Sequence, residues 1–155
     1  MSRKKYVELL EEFCALTGAD DPARIIRDAA LTVNGVAFSF IHEEEIDPAL
    51  LTVYADFGKL PSKRELEVCM GLMEANLSLA AQRFPIFGIS PNTRNVTLAA
   101  QCQLADLDPE NLRSMLVELA AKAQEWQEKN LLGLKPNTPP KRGNFNWLGF
   151  APVKS

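Results

Sequence analysis

One histidine, three cysteines, no glycine-rich loop and no long apolar run occur in these 155 residues. Each shortage removes a class of function. With His42 alone, a catalytic triad or a histidine metal site within one chain would have to be built around a single residue. His42 precedes Glu43-Glu44-Glu45, a run that lacks the spaced oxygen ligands and turn glycine of a calcium loop and reads as a solvated acidic turn. Cys14, Cys69 and Cys102 are odd in number, lack metal-ligand spacing and fall on the apolar faces of different predicted elements, so they read as reduced core thiols. No His-Glu-x-x-His, paired-cysteine zinc pattern or phosphate loop is present. The pairs Glu11-Glu12 and Glu43-Glu45 carry no mark of a buried carboxylate. The residues therefore name no catalytic group, no metal and no cofactor.

No segment approaches the ~20 apolar residues of a membrane span. Met1-Ser2-Arg3-Lys4-Lys5 leads into a charged amphipathic pattern, not a signal-peptide core, and a cytoplasmic location is expected. The net charge of −3 is unevenly placed: residues 133–155 carry four bases, Lys135, Lys141, Arg142 and Lys154, and no acid, leaving 13 bases against 20 acids before them. An acidic body disfavours nucleic acid and anionic membrane surfaces as partners. It favours basic or apolar ones.

Periodicity orders the elements. Tyr6, Leu9, Leu10, Phe13 and Cys14 recur at helical spacing, and Thr17-Gly18 closes that helix. Asp20-Asp21-Pro22 can start a short helical turn. Leu31 and Val33 alternate up to Asn34-Gly35, a type I′ hairpin signal, and Val36, Phe38 and Phe40 share one face of the return strand. Leu51, Val53, Ala55 and Phe57 repeat the pattern, which makes a three-stranded meander. Ser62 with Glu65 has the form of a capping box for a second helix. In that helix Leu66, Cys69, Met70, Met73, Leu77 and Ala80 form one stripe, and Val68, Leu72, Ala75 and Leu79 widen it beyond what one sheet can cover. A second burial surface is implied.

Pro85 stops the second helix, and strands follow around Ile86–Ile89 and over Val96, Leu98, Ala100, Cys102 and Leu104 as a second hairpin. Asp108-Pro109 starts the last helix, with Leu112, Met115, Leu116, Leu119, Ala123 and Trp126 on its apolar side. The order α-β-β-β-α-β-β-α predicts an α+β fold, a twisted antiparallel sheet packed by helices. Residues 1–132 form the domain and 133–155 a Pro-rich basic tail. Lys141-Arg142 beside Phe145 and Trp147 could suit a nucleic acid strand, but the acidic body opposes this. The apolar cluster Phe145, Trp147, Leu148 and Phe150 is more than a linker needs, and Asn144–Phe150 is expected to dock on an apolar patch.

Two stretches carry a resemblance. Tyr54-Ala55-Asp56-Phe57-Gly58-Lys59-Leu60-Pro61 is similar to the strand-to-turn segment of the class I type III secretion chaperones, the family that includes the Tir chaperone. Met73-Glu74-Ala75-Asn76-Leu77 resembles the Leu-Glu-Ala-Asn-hydrophobic run of that family's second helix. Both fall on the matching elements, in the matching order. The resemblance implies a homodimer whose second helices and fourth strands meet, with Met70, Met73, Leu77, Phe87 and Ile89 at the interface. It also implies that the N-terminal segment of a secreted effector wraps around the dimer near the first helix and first sheet, touching Leu10, Phe13, Leu31, Val33, Phe38 and Val53. The implied function is a non-enzymatic chaperone of the bacterial cytoplasm that keeps an effector export-competent. A regulatory adaptor of the same fold, sequestering a secretion regulator, is the alternative, and a small enzyme of unrelated function is the third.

Overall fold

In the computed structural model, residues 2–19, 21–80 and 85–129 are described. The 133–155 tail and the docking expected of Asn144–Phe150 lie outside the described residues. The elements run α1 (Ser2–Thr17), α2 (Pro22–Asp28), β1 (Ala30–Val33), β2 (Val36–Ile41), β3 (Leu50–Lys59), α3 (Glu65–Ala80), β4 (Ile86–Ile89), β5 (Asn95–Gln103) and α4 (Pro109–Lys129). All five strands join one antiparallel sheet in the order β1-β2-β3-β5-β4. The expected α+β order holds, with α2 added.

The sheet buries one face. Val36, Phe38 and Phe40 of β2, Leu51, Val53, Ala55 and Phe57 of β3, Phe87 of β4 and Val96, Leu98 and Ala100 of β5 are buried, each separated from the next by a more exposed neighbour. This is the period of two that a half-covered sheet imposes. α4 lies across β1, β2 and β3, and α1 packs on α4. Leu112, Leu116, Leu119, Ala120, Ala123 and Trp126 from α4 meet Tyr6, Leu9, Leu10, Phe13 and Cys14 from α1 in a single core. Trp126 and Phe87 flank the Phe57 ring, with centroids 6.2 and 5.4 Å from it.

Local chemistry sets the boundaries. Asn34 and Gly35 both have positive φ, 49° and 80°, as a type I′ turn between Val33 and Val36 requires. Gly18, at φ 68°, follows the end of α1. At the start of α4 the Asp108 carboxylate accepts from the Asn111 backbone N–H at 2.7 Å, satisfying an amide that the first helical turn leaves open. α3 starts later than the capping-box pattern predicted. Its first residue is Glu65, and the preceding Arg64 offers its carbonyl to Val68 N–H and a two-pronged guanidinium contact to Glu67 at 2.8 and 2.9 Å. An arginine reaching forward to the first turn replaces the serine hydroxyl reaching in.

Candidate partner-binding surfaces

The faces of α3 divide in a way the pattern of apolar residues alone does not fix. Val68, Leu72, Ala75 and Leu79 are buried, whereas Leu66, Met70, Met73 and Leu77 are 77%, 54%, 69% and 79% exposed. The two stripes are offset by two residues, about 200° around a helix, so they occupy opposite sides. The one that looked primary faces outward. It runs over about 16 Å of helix, and contiguous bare apolar surface of this kind marks a contact site in soluble proteins.

α3 is locked to the sheet by Asn76. Its side-chain amide donates to the Phe87 carbonyl at 2.8 Å, and its carbonyl accepts from the Phe87 N–H at 2.7 Å. The pair imitates the exchange that a neighbouring strand would make. Asn76 thus closes the outer edge of β4 at its centre, a more specific role than leaving room for close helix packing. Ala75, beside it, points into the core.

The Asp-Phe-Gly stretch makes a bulge. The β3–β5 register slips between Asp56 and Gly58, and the Asp56 carboxylate accepts from Gly58 N–H at 2.8 Å and from the Asn95 side chain at 3.0 and 3.1 Å. Gly58 has φ 98°, and a Cβ there would come within 2.9 Å of Gln127 Nε2. The same Gln127 nitrogen donates to the Phe57 carbonyl. The glycine lets α4 and the strand end meet closely.

Among the described residues, no strand pairs with the opposite edge of the sheet, β1. Phe40 N–H donates to the Ala29 carbonyl, which with the Ala30↔Ser39 and Leu31↔Phe38 register makes Ala30 and Thr32 the residues whose backbone groups point away from β2. Both are exposed, and Leu31 and Val33, on the core side of the same strand, are only half-buried.

His42 and the acidic turn make contacts of their own with α1 and the following loop. The His42 ring stacks on Tyr6 with centroids 5.1 Å apart, and its Nε2 lies 3.1 Å from the Pro48 carbonyl, so Nε2 carries the proton. Glu44 accepts from the Ser2 hydroxyl at 2.7 Å and from Arg3 N–H, contacts that hold its carboxyl below the usual range. The turn is thereby pinned to the start of α1, where a negative charge also suits the helix dipole. Among the described residues, no group of three or more His, Cys, Asp or Glu is placed to hold a metal, and no helix is long and apolar enough to cross a membrane. Burial pushes the Cys14 and Cys102 thiols up, away from the reactive thiolate.

Of the expected interface residues, Met70, Met73 and Leu77 lie on the bare stripe, and Ile89 is half-buried on the core side of β4. Phe87 is a correction: it is 4% exposed and packs edge-on against Phe57, because the alternation in β4 turns Ile86 outward instead. Of the expected effector contacts, Leu31 and Val33 border the open edge. Leu10 and Phe13 of α1 and Phe38 and Val53 of the sheet are buried core residues, since α4 lies across the sheet face and α1 packs on α4, and they offer no surface in the single chain. The edge chemistry of Asn76, Ala30 and Thr32 was missed. Only the pairing register reveals it.

The exposed apolar face of α3 and the β1 edge, without a strand partner among the described residues, are the surfaces of this α+β fold suited to a partner. The chain belongs to the Tir chaperone protein (CesT) family, whose model matches residues 8–127. The fold is shared with solved structures. A chain of the ExsC-ExsE complex matches with a TM-score of 0.64 and 24% identity over 81% of this chain and 92% of that one. A chain of the HopA1-SchA chaperone-effector complex matches at 0.61 and 15%, over 80% and 94%. A chain of the Yersinia pestis type III secretion chaperone SycH in complex with a stable fragment of YscM2 matches at 0.53 and 20%, over 77% and 98%. No curated protein matches the sequence.

Proposed function

We propose that this protein is a homodimeric type III secretion chaperone that holds the N-terminal segment of an effector in an extended, export-ready form in the bacterial cytoplasm. The observation that carries the dimer is the exposed stripe Leu66, Met70, Met73 and Leu77, which a second copy can cover with its own. A stable interface of this kind buries on the order of 1,600 Å². An extended segment finds its place on β1, where the backbone groups of Ala30 and Thr32 point away from β2 and have no strand partner among the described residues, and Leu31 and Val33 offer half-buried apolar side chains. Binding of this type stabilises the segment by covering it, with no covalent step. Static light scattering at micromolar concentration tests the dimer, and a monomer would reject it. Limited proteolysis of a complex with an effector tests the rest: the protected fragment should map near the effector's N-terminus, and protection of a folded effector domain instead would reject that part.

A further inference from the structure

Sulfur chemistry sets the bare stripe of α3 apart. Among the described residues the sulfur-bearing side chains are Cys14, Cys69, Met70, Met73, Cys102 and Met115. Cys14 is buried, Cys69, Cys102 and Met115 are half-buried, and the Cys102 thiol donates to the Met115 sulfur at 3.4 Å. Met70 and Met73 alone are exposed, at 54% and 69%. A thioether reacts with an oxidant without first losing a proton, so access decides which one is oxidised. Position matters as much as exposure. Leu66 and Leu77 end the stripe, one four residues before Met70 and the other four after Met73, so its midpoint falls between the two methionines, which lie about 4.5 Å apart along the helix axis. When a stripe pairs with its own copy about a twofold axis, its midpoint meets itself. The methionines of both copies therefore gather at the centre of the contact, where an unpartnered polar group costs most.

We propose that Met70 and Met73 form an oxidative modification site that governs self-association: a hydroperoxide oxidises both in the free protomer, and the sulfoxides then keep two copies apart. The inference rests on the dimer proposed above. In each oxidation the thioether sulfur attacks a peroxide oxygen, an S–O bond forms, the O–O bond breaks, and the other oxygen leaves as water, or as an alcohol from an organic peroxide. Sulfur loses two electrons and the peroxide gains them. The new oxygen is a hydrogen-bond acceptor, yet the backbone amides around it in α3 are committed to the helix, and Leu66 and Leu77 offer no donor. It would enter the contact without a partner, turning the most apolar part of the stripe polar. Two thiols reverse the step, forming a disulfide and water as the thioether is restored, the reaction that methionine sulfoxide reductases catalyse.

Hydrogen peroxide treatment of the full chain tests the site and its effect separately, with oxidation mapped by peptide mass spectrometry and association read by sedimentation. In dilute protein Met70 and Met73 should oxidise about tenfold faster than Met115, and the rate should fall as rising protein concentration draws the protomers into dimers. The oxidised protein should show a dimer dissociation constant raised about a hundredfold. A thiol together with the two methionine sulfoxide reductases, one for each sulfoxide epimer, should restore the original constant. Restoration by the thiol alone would assign the effect to a cysteine and overturn the proposal. Met115 oxidising as fast as the pair, or an oxidised dimer with an unchanged constant, would overturn it and leave the dimer standing. Untreated protein that stays monomeric at every concentration would overturn both.

Discussion

Replacing Asn76 by alanine removes both side-chain partners of the Phe87 backbone at once. The two bonds, at 2.7 and 2.8 Å, are part-buried. Each such bond contributes about 1 kcal/mol net, and a part-buried amide or carbonyl that loses its partner costs about 1–3 kcal/mol. Asn76→Ala should therefore destabilise the fold by about 3 kcal/mol, roughly 10 °C in melting temperature for a chain of this size. Urea unfolding should be followed at one fixed protein concentration, because the stability of a dimer depends on concentration. Asn76→Asp sharpens the test. It keeps the acceptor for Phe87 N–H but sets a carboxylate oxygen against the Phe87 carbonyl, so the loss at neutral pH should match that of alanine. As the pH falls, the protonated carboxyl regains a donor, its folded-state pKa is raised, and part of the stability returns. The Phe87 amide should exchange faster in both variants. A loss under about 0.5 kcal/mol in Asn76→Ala with unchanged exchange at Phe87 would refute the edge-closing role.

Met73→Glu, at a side chain 69% exposed in the single chain, should leave the stability of a monomer within about 0.5 kcal/mol and raise the dimer dissociation constant more than about a hundredfold, read by sedimentation at several concentrations. Gly58→Ala forces φ 98° on a residue with a Cβ and crowds Gln127, so thermal unfolding should show a loss of about 2–3 kcal/mol. Gln127→Ala should cost about 1 kcal/mol alone and close to nothing on top of Gly58→Ala. The Tyr6 hydroxyl is raised above its ordinary value of 10.0 chiefly by burial, with Arg3 opposing. A group that holds its proton more tightly when folded contributes fully below the unfolded value and loses that contribution as the pH rises through the folded one. Stability should therefore fall on the alkaline side of pH 10, and Tyr6→Phe should flatten that fall in pH-dependent urea titrations.

Most of the fold was legible because it depends on local chemistry. Asn34-Gly35 states its own turn type, Asp108-Pro109 its own helix start, and the alternation from Val36 to Phe40 its own buried face. What stayed illegible depends on which of two equivalent surfaces meets the rest of the molecule. In α3 the stripes beginning at Leu66 and Val68 are both apolar, and only the position of the sheet decides that the second is core. The sequence Ile86-Phe87-Gly88-Ile89 poses the same choice over four residues, and the side taken by Phe87 follows from the Phe57 ring it meets. Leu10, Phe13, Phe38 and Val53 went astray as binding residues for a related reason. A side chain apolar enough to grip a partner is apolar enough to fill the core, and no periodicity separates the two uses.

The two sheet edges bring fold and binding together. An antiparallel sheet that does not close exposes two rows of backbone groups, and both invite pairing with other chains. Here one is answered from within, because α3 packs on β4 and places Asn76 on Phe87. The side chain that steadies the helix also withdraws the centre of that edge from competition. In the function proposed above, this leaves β1, on the far side of β2, β3 and β5, for an extended partner. The bare stripe of α3 lies on the β4 side, so the proposed second copy and the proposed extended segment would not contend for the same atoms. Asn76 thus does the sorting: removing it should weaken the fold and also offer incoming strands a second, wrong edge.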